Sequence, residues 1–376
     1  MTSGREAIIH IGHKKTGTSF LQYHFHRAAA ALRTHGVLYP FREANHSFAL
    51  SGLFRRHHAT RAPSPLDGYV AARDRRLPVL AREFSGDDWQ TLLLSAEALA
   101  GFSLVELRQM RSVLDRYVER IRIVFVIRDP VDWAVSVAQQ YLRSRSNIEV
   151  VLSQPEPVQW RAIVGRMRHV FGAAAVEVYA YEDLSIERDA FAARFVAAAG
   201  LPRTIAPLLQ GDRQSVNESL SMEAALMLGR FNVRVPEAID GARNPARSGF
   251  EPQIFAGLPG GRFDLPDTAR RLAYAQSRDD VAFVDRQYGI ARYTYSPEQL
   301  APSGYTEDVS IGFLDALADR LYTTDAEAAA GRLLLDSIHW HARGETARGD
   351  ALLQQAIVRF PHNRRVARAN AQRRRD

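Results

Sequence analysis

The 376-residue chain contains no cysteine. Disulfides, thiolate metal sites and cysteine nucleophiles are therefore excluded, and a metal would need histidine or carboxylate ligands. No apolar run approaches the roughly 18 residues of a membrane-spanning helix. The N-terminus passes from Met1 to Glu6 straight into an apolar strand, without the hydrophobic region of a secretory signal. The cytoplasm is the expected address. A DNA-recognition helix or an RNA-binding signature is also missing. The net charge of +7 therefore points to an anionic ligand or to solubility, and not to specific nucleic-acid binding. Hydrophobic residues make up 46% of the chain. That is enough for a large core, in one domain of over about 200 residues plus something smaller.

What is present is an alternation of apolar strands and longer helical patterns, the mark of a parallel α/β sheet. Strands are expected over Ala7–Ile11, Thr91–Leu94, Ile121–Ile127 and Val176–Tyr179. Helices are expected over Thr18–Arg33, Leu104–Val118, Val131–Arg143, Val158–Phe171, Arg188–Ala199 and Met222–Phe231. Val233–Pro266, rich in Gly, Pro, Arg and Asn, reads as a long loop or lid, after which helical pattern returns over Thr268–Gln276. Pro, Ser and Gly recur from Ser296 to Gly304, and beyond about Asp325 the composition turns Ala- and Arg-rich. Ala329–Ala342 and Arg348–Phe360 pattern as two helices resembling a single tetratricopeptide-type repeat, followed by a basic tail at Arg373–Arg375. The expected organisation is a main domain over 1–295, a linker over 296–325 and a helical hairpin over 326–376. The expected class is α/β, a P-loop-like three-layer fold with a central, mostly parallel sheet plus that hairpin.

The first strand runs into Gly12-His13-Lys14-Lys15-Thr16-Gly17-Thr18-Ser19 and then an amphipathic helix. Successive N–H groups and hydroxyls at a helix N-terminus make a phosphate cradle. A nucleoside-triphosphatase loop places its lysine directly after the second glycine. Here Thr18 fills that slot and Lys15 stands two residues before Gly17, so a triphosphate held with magnesium is not the expected anion. The strand Ile121–Ile127 ends in Arg128-Asp129-Pro130, with Ser136 eight residues after the arginine. Asp129 suits a helix cap and Pro130 the first helical turn, which leaves Arg128 at the strand's carboxyl end.

These two motifs together resemble the sulfotransferases that use 3'-phosphoadenosine 5'-phosphosulfate (PAPS). The first family signature is matched by Lys15-Thr16-Gly17-Thr18-Ser19, the second by Arg128 and Ser136. Further echoes are His10-Ile11-Gly12, Ser95-Ala96-Glu97, Tyr181-Glu182-Asp183-Leu184, Asn217-Glu218-Ser219-Leu220 and the Asp280–Gly289 segment, which extend the likeness over residues 5 to 292. It implies a bacterial-type enzyme that moves a sulfuryl group from PAPS to a hydroxyl or amine, with a carbohydrate, already anionic in keeping with the basic charge, as the favoured acceptor. It implies that Lys14, Lys15, Thr16, Gly17, Thr18 and Ser19 hold the 5'-phosphosulfate, and that Arg128 and Ser136 hold the 3'-phosphate. Lys15 would stabilise the leaving oxygen, and lysine with the amides could do so without a metal. The family's later Arg-Lys-Gly element has no match here. Its place could be taken by the loop from Arg243 to Arg262 or by Arg213.

The acceptor must lose a proton, and Glu97 and His46 are the candidate bases. Glu182 is expected to hydrogen-bond structurally, and Trp133 and Trp160 to pack in the core. His57-His58 beside Arg55, Arg56 and Arg61 reads as a solvated loop. Two alternatives stay open: a nucleotide-dependent P-loop kinase, and a non-catalytic protein that presents the helical hairpin to partners.

Overall fold

The computed structural model describes residues 4–55, 76–144, 147–187, 190–210, 220–240, 242–244, 247, 251–343 and 345–373. Its sheet comprises β1 (Glu6–Gly12), β2 (Val37–Leu38), β3 (Thr91–Ser95), β4 (Arg120–Ile127) and β5 (Val176–Ala180). They lie in the order β2-β3-β1-β4-β5, all parallel. β2 escaped the sequence reading because two residues carry no periodicity. Ile9 of the central strand pairs with Leu94 on one side and Ile123 on the other.

The helices that pack on this sheet are α1 (Thr18–Arg27), α2 (Leu104–Leu114), α3 (Pro130–Arg143), α4 (Trp160–Phe171), α5 (Phe191–Ala198) and α6 (Asp267–Tyr288). Side chains alternate along each strand, and both faces are covered. Ile9 and Ile11 join Leu94, Phe125 and Ile127 in a core closed by α2, α3, α4 and α6, while Ile8 joins Leu93, Val124 and Val126 in a core closed by α1 and α5. The result is three layers, the P-loop-like α/β class expected. Ile8, Ile9 and Ile11 are fully buried, each contributing roughly 1.5–3 kcal/mol, so the strand that leads into the glycine turn is firmly fixed.

Element boundaries moved where composition misled. The expected Thr18–Arg33 helix divides at Ala28 into α1 and Ala29–Thr34. The pattern at Thr268–Gln276 extends to Tyr288, because the buried positions Ala269, Ala273 and Ser277 are small and spaced by four. α3 starts at Pro130 with the Asp129 carboxylate accepting from the N–H groups of Val131 and Asp132, as the sequence predicts.

The chain divides into two compact units: Met1–Ser144 with Glu149–Glu218 and Asp264–Ser303, and Arg145–Ile148 with Ser219–Phe263 and Gly304–Asp376. The first holds the sheet. The second holds the helix Met222–Arg234 and three C-terminal helices, α7 (Ile311–Ala342), α8 (Thr346–Arg359) and α9 (Arg364–Arg373). Residues 311–325, expected in the linker, are the start of α7, whose cap Ser310 accepts from the Phe313 N–H. The Val233–Pro266 segment carries a short ladder, Ala238–Ile239 with Ala242–Arg243, and the helix Glu251–Phe255.

Candidate functional site

Adjacent strands β1 and β4 send their following helices, α1 and α3, to opposite faces of the sheet. A crevice opens at the carboxyl ends of two such strands, and both sequence motifs stand there. In the turn after β1, a Cβ on Gly12 would come within 2.2 Å of the Thr18 side chain. Gly17, at φ 76, caps α1, and a Cβ on it would meet the Phe191 ring at 2.6 Å and the Tyr181 ring at 3.2 Å. Only glycine fits either position. Thr16 Oγ1 donates to the His13 carbonyl at 2.6 Å and Thr18 Oγ1 to the same oxygen at 3.4 Å. Both hydroxyls thus brace the turn itself. The N–H groups of Thr18 and Ser19, in the first turn of α1, have no acceptor within the helix.

Lys15 adopts φ 66, a left-handed conformation that costs a non-glycine residue about 1–2 kcal/mol. Strain of this kind is retained where the surroundings over-determine it. Arg128 supplies part of that restraint: its Nη1 donates to the Lys15 carbonyl at 3.2 Å and to Ser136 Oγ at 3.0 Å. The Trp133 indole supplies another part, donating to the Lys14 carbonyl at 3.0 Å and stacking on His13 with ring centroids 4.6 Å apart. The Arg128 guanidinium also stands 5.5 Å above the Tyr181 ring and 3.7 Å from Asp132.

The strand end that carries Arg128 is itself held. The Asp129 N–H donates to Glu182 at 3.0 Å, and Glu182 in turn receives the Tyr293 hydroxyl. The Tyr295 hydroxyl donates to Asp129 at 2.9 Å. Glu182 therefore has the structural role expected of it, and the Asp267–Ser303 stretch reaches back to brace the β4 end.

Glu97 follows β3 at the start of a short 3-10 helix, Glu97–Gly101. Burial pushes its carboxyl above the usual carboxylate range, while Lys15 and Lys14 draw it back. Burial lowers the Lys15 ammonium from its ordinary value, helped by Arg143, Arg128 and Lys14 and opposed by Glu97. The carboxylate and the ammonium thus act on each other electrostatically. His46 sits differently. It is fully buried, its ring Nδ1 accepts from the Ser95 N–H at 3.2 Å, and its main-chain N–H donates to the Ser95 carbonyl at 3.0 Å. Burial holds its pKa at about 3. Ser95 Oγ meets His10 Nδ1 at 2.9 Å and Gln22 Nε2 at 3.2 Å, so every polar atom of Ser95 is engaged two residues before Glu97.

Sequence reasoning missed Tyr141, Arg143 and Glu156 as neighbours of the lysines, and it assigned Trp133 to the core alone. Trp133 is indeed buried but also pins the turn. One signal was available: Lys14 and Lys15 are the chain's only lysines, all other basic residues counted with them being arginine. Arg213, His57, His58 and Asn217 lie outside the described residues. Arg247, within the loop offered for the missing element, has its Nη2 on Asn232 Oδ1 at 2.7 Å and its Nη1 3.9 Å from Glu251. Among the described residues, no group of three or more His, Asp or Glu side chains could hold a metal ion, and no helix is long and apolar enough to cross a membrane.

No protein-family model and no curated protein matches the chain. Among solved structures, a sulfotransferase from Alicyclobacillus acidocaldarius is similar at 16% identity and a TM-score of 0.31, over 61% of this chain and 93% of that one. A likeness of that size carries no weight for the chemistry.

Proposed function

We propose that the chain is a sulfotransferase that transfers a sulfuryl group from PAPS to a hydroxyl or amine of an acceptor, with carbohydrate as the acceptor class. The observation that most supports this reading is the linkage of the two motifs: one guanidinium, Arg128, donates both to the Lys15 carbonyl and to Ser136 Oγ. PAPS carries two separated anionic groups. The amides at the start of α1 would take the 5'-phosphosulfate, and Arg128 with Ser136 the 3'-phosphate. Sulfuryl transfer resembles phosphoryl transfer in resting on positioning and charge stabilisation.

In the reaction, an acceptor oxygen attacks sulfur in line while the bond from sulfur to the bridging phosphate oxygen breaks. Lys15 stabilises the charge that develops on that oxygen. Glu97 takes the acceptor proton, and the products are the sulfated acceptor and adenosine 3',5'-bisphosphate. Glu97 is preferred to His46 as the base on the hydrogen bonding of the imidazole. In a neutral imidazole whose Nδ1 accepts a hydrogen bond, Nε2 carries the proton, so His46 has no lone pair to offer. A carboxyl raised by burial is a stronger base than an exposed one.

The test is transfer of sulfur-35 from labelled PAPS onto a sugar panel with EDTA present. Label should appear in the sugar fraction with wild type and fall sharply with Lys15→Ala. Phosphate transfer from ATP with magnesium, and none of sulfur, would contradict the reading.

A further inference from the structure

The ammonium of Lys14 lies over the Tyr141 ring, 5.6 Å from its centroid, and the Tyr141 hydroxyl donates to the Glu156 carboxylate. Tyr141 is on α3 and Glu156 in the stretch before α4, so two separate segments bring these groups to the turn. Both side chains are half-buried. Glu97 approaches the same lysine pair from the end of β3. The only two lysines of the chain are therefore flanked by two carboxylates, with an aromatic ring between one of them and Lys14.

We infer that Glu156, oriented by the Tyr141 hydroxyl, binds the acceptor, and that the acceptor it fits is a neutral polyhydroxylated sugar and not an anionic glycan. This rests on the sulfotransferase reading. Once the phosphosulfate has matched the lysine charges, the groups left for an acceptor are Glu97, Glu156, Arg143 and the Tyr141 ring, so the carboxylates outnumber the one remaining cation. A carboxylate accepts hydrogen bonds from sugar hydroxyls and repels an acceptor that brings its own uronate or sulfate. Burial pushes the Glu156 carboxyl up, with Lys14 drawing it back, so the half-buried group is partly shielded from bulk water. The overall charge of +7 belongs to the chain as a whole, whereas at this corner Glu97 and Glu156 offset part of the charge of Lys14, Lys15 and Arg143.

The experiment compares matched acceptors, the p-nitrophenyl β-glucoside and β-galactoside against the corresponding glucuronide and galacturonide, with PAPS as donor. Melting-temperature shifts with adenosine 3',5'-bisphosphate serve as the donor-site control. Wild type should favour the neutral members by about tenfold or more in kcat/KM. Glu156→Gln keeps a partner for Tyr141 and loses the charge. It should raise the neutral-acceptor KM about tenfold, leave kcat within about twofold, narrow the neutral-to-anionic ratio and retain the bisphosphate shift. A merely structural carboxylate would not move that ratio. Should Glu156→Gln fail to fold, Tyr141→Phe, which frees the carboxylate, reads the same KM. Preference for an anionic member, acceptance of no neutral member, or an unchanged ratio in Glu156→Gln overturns the inference. Absence of any bisphosphate shift in wild type would instead overturn the sulfotransferase reading.

Discussion

The sheet-bearing unit and the C-terminal helices bury their side chains to different depths. In the first, two apolar cores close both faces of a parallel sheet, and residues as large as Trp133 and Trp160 are almost wholly enclosed. Among the described C-terminal helices the buried cluster is Ala330, Ala356 and Val366, while Leu335, Ile338 and Val358 stay 65–69% exposed. Both regions are rich in arginine. In the first, however, the Arg128 guanidinium is fixed by Ser136 and the Lys15 carbonyl, and the main chain that carries Lys14 by Trp133. Between α7 and α8, Arg348 over the Trp340 ring at 3.7 Å is a surface contact. The difference teaches that charge alone does not make a site. A rigid floor that fixes where the charge stands does.

The largest effect that would break this contrast concerns the floor. Trp133→Ala should cost about 3–5 kcal/mol in a denaturant melt, as cavity-forming aromatic truncations do. A cost below about 1 kcal/mol would mean that the turn does not depend on it. Next comes Lys15→Ala, expected to lower turnover on the order of 100- to 1000-fold, by comparison with loss of an oxyanion donor. Unchanged turnover would remove Lys15 from the mechanism. Arg128→Ala should weaken adenosine 3',5'-bisphosphate binding about 10- to 100-fold by calorimetry, the range for a lost charged hydrogen bond.

The pH profile sharpens the same contrast. As the proposed base Glu97 must be ionised, and burial raises its pKa above the ordinary 4.5, so the acid limb of kcat/KM should lie above that value. As the proposed stabiliser of the leaving oxygen Lys15 must be protonated, and burial lowers its pKa below the ordinary 10.5, so the alkaline limb should lie below that. Glu97→Gln should abolish the acid limb, and a limb that survives would point to another base. The smallest effect belongs to the other region. Leu335→Ala and Ile338→Ala should each change stability by no more than about 0.5 kcal/mol, and a cost like that of Trp133→Ala would erase the contrast.

Much of this was legible in the sequence, and the reasons for the rest are physical. The strand Ile121–Ile127 announced itself because burial on both faces demands an apolar run, unbroken here from Ile123 to Ile127, and the Asp129-Pro130 start of α3 followed from capping chemistry. The second half of α6 stayed hidden because polar residues such as Arg278, Asp279 and Asp285 dilute its apolar face, leaving Val281 and Val284 as isolated signals. The start of α7 was masked in the same way, with Phe313 and Leu317 the main buried positions. At the candidate site, the two motifs picked out Gly17, Lys15, Arg128 and Ser136, and the structure brings Arg128 onto Ser136 and the Lys15 carbonyl. The inward use of the Thr16 and Thr18 hydroxyls could not, because a hydroxyl's choice between ligand and main chain is made by the turn geometry. Tyr141 and Glu156 stand 15 residues apart, and no periodicity links them.

Because Lys14 and Lys15 are the only lysines, the central claim has a direct readout. Protein labelled with carbon-13 at the lysine ε-position gives two signals, both from the turn. Adenosine 3',5'-bisphosphate should shift them and raise the low titration point of Lys15, since a bound anion favours the ammonium. ADP with magnesium at equal concentration should do neither. Signals that ignore the bisphosphate, or that respond equally to ADP with magnesium, would contradict a PAPS site at this turn.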